Sequence, residues 1–216
     1  MKLRYTLVSD GPTDAVLIPI IDWILKNTTG VELTEGVPAE LWRLKTKPET
    51  LAEKLAKAVE LHPCDVLFVH RDAERQSHEK RLAEILDAQA ANSQSGKQWP
   101  TVAVVPVRML EAWLCFDECA VRKAANNPRG KVQLNLPPLK RIEASPDPKE
   151  DLKAALLAAS ELKGRRLKKF DNSAAFWKVV DHIEDFSPLR QLPAFQRLET
   201  AILELKRNEW GSGFYG

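Results

Sequence analysis

The sequence predicts an α/β fold, a parallel four-stranded sheet flanked by helices and followed by a C-terminal helical extension. Three short apolar runs, at 3–8, 66–69 and 101–106, have the length and composition of strands. Helical segments separate these runs along the chain. Because strands that alternate with helices are joined by right-handed crossovers, the predicted strands lie parallel.

The first strand leads into a helix, and the second strand has the weakest signal. Pro12 suits the first turn of a helix, which continues as an apolar segment over 15–26. Pro19 lies inside that segment and lacks a backbone donor, so we expect a kink there. The second strand is predicted within 31–45, centred on 40–44.

The remaining elements alternate up to residue 125 and are helical after it. The apolar run 66–69 is typical of a strand covered on both faces. Helices are predicted to begin at 47–49 and to cover 77–91, 109–116, 148–162, 173–183 and 193–206. Prolines interrupt the chain beyond 125 and strand signals become few. We therefore expect an α/β domain over 1–125 and a mainly helical part over 126–216.

Composition excludes some classes of protein. Of 216 residues, 44% are apolar and 29% charged, which is typical of a globular protein, and the formal net charge of +2 indicates no general attraction to nucleic acid. No apolar run is long enough to span a bilayer, and the N-terminus lacks the features of a signal peptide, so we expect a cytoplasmic protein with no membrane partner. Three cysteines without a paired framework indicate reduced thiols.

Acidic side chains follow three of the predicted strands. Asp10 follows the first, Asp72 and Glu74 follow the third, and Glu111 comes shortly after the fourth. The carboxyl ends of parallel strands meet at one crevice, and magnesium prefers oxygen ligands there. We therefore predict that Asp10, Asp72 and Glu74 hold a divalent metal ion and that Glu111 orients a ligand. Each acid alone is equally typical of a turn or of a helix N-cap.

Basic residues and a glycine adjoin these acids. Gly11 allows the backbone to approach a phosphate closely, and Arg71 and Arg108 can hold substrate phosphates or neutralise neighbouring acids. Asp14, in the first turn of its helix, is either functional or favourable to the helix dipole. A second cluster, which contains Lys163, Arg165 and Arg166, either binds a phosphate backbone or is a solvated helix end.

These residues resemble a known family. Similarity to the Toprim fold lies in Asp10-Gly11-Pro12-Thr13-Asp14, in His70-Arg71-Asp72-Ala73-Glu74, and in the segment 107–114. The resemblance covers residues 1–125 and leaves the helical remainder unexplained. It implies a four-stranded parallel sheet, magnesium or manganese as cofactor, and strand chemistry on nucleic acid.

The resemblance also implies a function and a partner. Small bacterial Toprim-like proteins related to the overcoming-lysogenization-defect nucleases suggest a metal-dependent nuclease or nuclease subunit, with Asp10, His70, Asp72 and Glu111 as catalytic residues. The chain lacks a Gly-x4-Gly-Lys-Ser/Thr pattern, so an ATP-driven step would require a partner. An AAA or ABC-type ATPase encoded nearby, in a phage-defence system, is the expected partner. A monomer and an oligomer both remain open.

Two positions depart from the family pattern. Asp10 stands where Toprim domains carry a glutamate, and His70 stands where they begin an Asp-x-Asp motif. An imidazole suits a softer metal such as manganese, or proton transfer. The departure at His70 favours a second hypothesis, a non-catalytic interaction module whose contact surfaces are the helical extension and the aromatic tail 210–216. A phosphoacceptor receiver domain is a weaker third reading, since Asp10 and Asp14 are not adjacent acids.

Overall fold

The computed structural model describes residues 2–74 and 76–207, so the aromatic tail 210–216 lies outside the described residues. The chain groups into two compact units, one of 1–105 with 196–216 and one of 106–195. The change of unit falls at 105/106, whereas the sequence predicts a domain boundary at 125/126. It falls earlier because the segment that follows the last strand packs on helices of the second unit.

The elements of the first unit alternate between strand and helix, as the sequence predicts. The strands are β1 (Lys2–Val8), β2 (Leu33–Pro38), β3 (Val66–His70) and β4 (Thr101–Val104), and the helices are α1 (Leu17–Thr29), α2 (Leu51–Leu61) and α3 (His78–Gln94). The second unit contains α4 (Glu118–Ala124), α5 (Pro148–Ser160), α6 (Gly164–Lys168) and α7 (Asn172–Asp181), and α8 (Pro193–Leu205) begins in it and ends in the first. Among the described residues, no helix is long and apolar enough to cross a membrane.

The predicted parallel four-stranded sheet is confirmed. Its order is β2-β1-β3-β4, and every neighbouring pair is parallel. The register places Val8 opposite Val69, so β1 and β3 end at the same level. β2 lies on one side of β1 and β3 on the other, so the chain changes direction across the sheet between them. The carboxyl ends of β1 and β3 therefore form a topological switch point, where ligands bind in open α/β sheets.

The two faces of the sheet follow the alternation of β1. On one face the hydroxyl of the buried Tyr5 lies 2.9 Å from Asp22 Oδ1 and 3.1 Å from the carbonyl oxygen of Ile18, so α1 covers this side. On the other face Val8, Leu67 and Val69 pack with residues of α2 and α3. Both faces of the central strands are therefore buried, as the apolar run 66–69 predicts.

β2 lies within the predicted range 31–45, but the predicted centre of the strand is wrong. The strand runs over Leu33–Pro38, and the expected centre at 40–44 contains a short 3-10 turn, Leu41–Arg43, instead. Gly36 and Pro38 both have low strand propensity, so propensity alone does not predict a strand here. Gly36 lies opposite Tyr5 in the register, and a Cβ atom there would overlap the Tyr5 ring, so close packing requires glycine.

Pro19 does not require the expected kink. The chain first forms a 3-10 turn over Pro12–Val16, and α1 begins only at Leu17. Pro19 is therefore in the first turn of α1, where a backbone N–H has no intrahelical acceptor and its loss costs little.

The second unit is built from helices and short turns. Helices α4, α5 and α7 pack on one another, and α5 also contacts the turn Leu110–Leu114. In this unit Trp113 and Phe195 form an edge-to-face pair with ring centroids 5.5 Å apart. Helices α5 and α7 match the predicted segments 148–162 and 173–183. The cysteines are free thiols, and burial raises the pKa of Cys115 to about 12.

Candidate functional site

The switch point brings together two of the predicted motifs. Asp10 and Asp14 belong to the turn after β1, and His70, Arg71 and Asp72 lie at the end of β3. The backbone continues in register beyond the strand, since the N–H of Arg71 donates to the carbonyl oxygen of Val104 at 3.1 Å. We call these five residues the edge cluster: Asp10, Asp14, His70, Arg71 and Asp72.

His70 is the buried centre of the edge cluster. Its ring is 3% exposed, and Nδ1 lies 3.1 Å from the carbonyl oxygen of Val104. A carbonyl oxygen only accepts, so Nδ1 carries the hydrogen and donates it. Burial lowers the pKa of His70, although the negative charge of Asp14 opposes this effect. Nδ1 is thus bound to the backbone, and Nε2 is the ring atom that faces the acids.

Nε2 of His70 faces two carboxylates. It lies 3.4 Å from Asp72 Oδ1 and 4.0 Å from Asp14 Oδ1. An acceptor nitrogen and two anionic oxygens repel one another unless a proton or a cation lies among them. His70 therefore differs from an ordinary core histidine, in which each ring nitrogen has a complementary hydrogen-bond partner.

The turn after β1 determines which oxygen of Asp14 faces His70. The N–H of Gly11 donates to Asp14 Oδ2 at 3.0 Å, which leaves Oδ1 on the histidine side. Gly11 has extended backbone, with φ of −145°. The backbone N–H of Gly11 is thus already bonded to Asp14.

Asp10 is neutralised by two cations. Its Oδ2 accepts from Arg71 Nη1 at 2.9 Å and its Oδ1 from Lys54 Nζ at 3.0 Å. Arg71 also reaches Glu84 on α3 at 3.5 Å. Arg71 therefore pairs with Asp10, an acid that the sequence did not suggest as its partner, and a metal ion at Asp10 would compete with both cations.

Glu74 turns toward α3 instead of toward Asp10. Its carboxylate lies 3.5 Å from Arg81 Nη2, and its backbone is in the left-handed region with φ of 52°. Arg81 Nε also donates to the carbonyl oxygen of Asp72 at 2.9 Å. The predicted ligands Asp10, Asp72 and Glu74 are thus held by different partners. Among residues 2–74 and 76–207, no group of three or more His, Cys, Asp or Glu side chains is arranged as a ready metal site.

The other predicted site residues belong to the second unit. Arg108 has φ of 62° in a tight turn closed by the N–H of Met109 on the carbonyl oxygen of Val107 at 2.9 Å. Glu111 is buried, at 6% exposure, in the turn Leu110–Leu114. The basic cluster, Lys163, Arg165 and Arg166, is exposed at α6. Their roles as ligand-orienting and phosphate-binding residues stay predictions.

The sequence did not predict the contact of Lys54 with the edge cluster, and it did not predict that Asp14 faces His70. Lys54 lies on α2, 44 positions from the Asp10 that it contacts, and no local pattern could reveal the pair. Asp14 was weighed as functional or as favourable to the helix dipole; one of its oxygens accepts from the Gly11 N–H and the other faces His70. The four-residue spacing from Asp10 to Asp14 was the available signal.

Comparisons with known proteins add no family to this description. No family model, no curated protein and no solved structure matches the chain. The Toprim resemblance therefore depends on the quoted motifs alone.

Proposed function

We propose that the edge cluster binds a divalent metal ion and that the chain hydrolyses phosphodiester bonds there. One observation supports this most strongly: Nε2 of buried His70 faces the carboxylates of Asp14 and Asp72. Either a proton on Nε2 or a bound cation removes that repulsion. A bound metal ion would polarise the phosphodiester and lower the pKa of an attacking water.

The donor set fits an open site. Imidazole together with carboxylates suits manganese better than magnesium, and magnesium itself needs only one or two protein carboxylates with water and substrate completing its shell. His70, Asp14 and Asp72 would hold the ion. At their present spacing these three side chains do not form a ready metal site, so water and substrate would have to complete the shell.

The surrounding residues have roles of their own. The bond from His70 Nδ1 to Val104 fixes the orientation of the ring and keeps Nε2 directed at the carboxylates. Arg71 and Lys54, both at the carboxylate of Asp10, supply positive charge for a substrate phosphate. Nucleic acid is the substrate class that the family resemblance implies, and an ATPase partner remains part of this proposal.

A non-catalytic interaction module is the second candidate. The observation that favours it is the double ion pair at Asp10, which neutralises an acid that a nuclease of the resembled family would use for metal. In that case the edge cluster is a structural network and metal binding is weak.

A cleavage assay tests the proposal. Plasmid DNA and labelled single-stranded DNA and RNA are incubated with the chain in magnesium, manganese or EDTA, alone and with the ATPase encoded beside its gene. We expect cleavage that is faster in manganese and falls at least about 100-fold in Asp72→Asn, since metal-held charge stabilisation is lost. The matched control is Glu150→Gln, an exposed acid paired with Lys153 on α5.

Two results contradict the proposal. If wild type cleaves nothing in any metal, with or without the ATPase, the chain is not a nuclease. If calorimetric titration also detects no manganese binding at millimolar concentration, the interaction module is the better description.

A further inference from the structure

A recess lies beside the edge cluster, on the β2 side of the sheet. The N–H of Ala39 donates to the carbonyl oxygen of Leu7 at 2.9 Å, so pairing with β1 continues past the end of β2. Glu40 then adopts φ of 43°, and the 3-10 turn Leu41–Arg43 follows. Left-handed backbone at a residue other than glycine is strained and tends to occur at functional sites. This turn carries Trp42.

The recess combines an aromatic ring with cations. Its volume is about 250 Å³, and its lining includes Trp42, the lysines Lys47 and Lys54, and the acids Asp10 and Glu49. Trp42 is half-buried and Lys47 is exposed. Small-molecule sites measure roughly 300–1,000 Å³, so this recess has room for one unit of a larger ligand rather than for a whole cofactor.

The lysines of the recess can donate to a phosphate next to Trp42, although the acids Asp10 and Glu49 balance their charge. Lys54 Nζ is bound to Asp10 Oδ1 at 3.0 Å, and an ammonium group has further donors for a second anion. Lys47 is one more cation on the lining. Stacking on an aromatic ring with lysines along the backbone is how proteins bind single-stranded nucleic acid without reading its sequence.

Asp10 connects the recess to the edge cluster. Its two carboxylate oxygens bind Lys54 and Arg71, one on each side. The sheet order β2-β1-β3 therefore arranges Trp42, Asp10 and Arg71 in succession along the carboxyl edge. A strand that follows this edge would have one base at Trp42 and its next phosphates near Arg71 and the acids.

We infer that the Trp42 recess binds one unstacked base of a single-stranded nucleic acid, with Lys47 and Lys54 on the adjoining phosphates. This inference rests on the proposed function, because it names the substrate of the same edge. Duplex DNA is not the expected ligand, since its bases are stacked within the helix and unavailable to an aromatic ring.

Binding in EDTA tests the recess without any cleavage. Fluorescence anisotropy of labelled oligo-dT and oligo-U is measured at several salt concentrations, with a hairpin duplex and free mononucleotide as competitors. We expect Trp42→Leu, which keeps apolar volume but has no ring, to bind about 5- to 100-fold more weakly, as for one lost stacked base. Trp42→Phe should retain most of the affinity. Trp177→Leu, at a tryptophan of α7 that is 38% exposed, is the matched control.

The salt dependence of binding separates the contribution of Lys47 to affinity from that of the Trp42 ring. Lys47→Ala should lower the slope of log affinity against log salt by about 0.7, the value for one single-strand phosphate contact, while Trp42→Leu should leave the slope unchanged. The melting temperature of each variant is recorded, and the Lys47 result remains decisive if Trp42→Leu does not fold.

The outcomes distinguish the recess from the proposed hydrolysis. Ring-dependent binding without cleavage in any metal supports the recess and contradicts only the nuclease. Cleavage that is indifferent to Trp42 and Lys47 contradicts only the recess. Equal affinity of Trp42→Leu and wild type, equal affinity for duplex, or competition by mononucleotide as strong as by oligo-dT each overturns the inference.

Discussion

The edge cluster and the basic cluster at α6 are both dense in charge, yet they are organised in opposite ways. At the edge, Asp10 has two cationic partners and His70 is buried against two carboxylates. At α6 the cations Lys163, Arg165 and Arg166 are all exposed. The first arrangement fixes side chains before any ligand arrives, whereas the second leaves them free to follow one.

This difference has an energetic meaning. Removing one partner of a buried ion pair lowers the stability of a protein by several kcal/mol. Removing one partner of an exposed ion pair changes it by roughly 0–1 kcal/mol. Substitutions at His70 and Asp14 should therefore alter folding and metal binding together, whereas Asp10, whose side chain is 54% exposed, should affect stability less. Substitutions at α6 should alter only what binds to the surface.

The largest effect is expected for His70→Asp. It places a third carboxylate beside Asp14 and Asp72 in a buried position, so in EDTA the protein should lose about 3–5 kcal/mol of stability, or about 10 °C in Tm. Manganese or magnesium should recover more Tm than in wild type, because three anionic ligands now surround the ion. Differential scanning calorimetry with and without metal measures both.

His70→Asn is the matched control for that variant. Its amide can still donate to the carbonyl of Val104, and it adds no charge. A loss in EDTA as large as that of His70→Asp would mean that packing, and not carboxylate repulsion, determines the result.

A second, smaller effect should identify the metal ligands. At a metal concentration 100 times Kd, binding stabilises wild type by about 2.7 kcal/mol, or about 5–10 °C in Tm. Asp72→Asn and Asp14→Asn should each abolish most of this shift. Glu74→Gln should keep it, since Glu74 is paired with Arg81. If Glu74→Gln and Asp72→Asn remove the shift while Asp14→Asn keeps it, the ligand set predicted from the sequence is right and the His70-centred set is wrong.

The fold was predictable where the local sequence pattern favours the same structure as the packing of the folded protein. The apolar run at 66–69 is a strand buried on both faces, and the sequence contains both facts. The centre of β2 was misplaced because its Gly36 and Pro38 oppose strand propensity, while the ring of Tyr5 in the neighbouring strand requires the glycine. That demand comes from packing between strands, which no local pattern expresses.

The proximity of the strand ends was predictable, and the contacts of their side chains were not. Strand ends bearing Asp10 and Asp72 indicate the switch point. Which oxygen of Asp14 faces His70 depends on the 3-10 turn at Pro12–Val16, and the ion pair of Asp10 with Lys54 depends on where α2 packs. Both are consequences of the assembled fold.

An intermediate effect is expected for Arg71→Met. Arg71 is 23% exposed and bridges Asp10 to Glu84 at 2.9 and 3.5 Å, so its loss should cost about 1–2 kcal/mol, between an exposed ion pair and a buried charged hydrogen bond. We expect Tm to fall by about 3–6 °C. Lys153→Met removes an exposed pair with Glu150 and should change Tm much less. Equal changes in the two variants would contradict the contrast between the edge and the exposed surface.

The smallest effect on stability should come from the basic cluster. Replacing Lys163, Arg165 and Arg166 together by alanine removes only exposed charge, so each change should alter stability by no more than about 0.5 kcal/mol. If these cations bind a nucleic-acid backbone, the triple variant should lower the salt slope for single-stranded DNA by about 2, at 0.7 per phosphate contact. Measuring Tm and the salt slope on the same protein separates the two readings of this cluster. An unchanged slope identifies a solvated helix end, and a large fall in Tm would mean that the cluster is as organised as the edge.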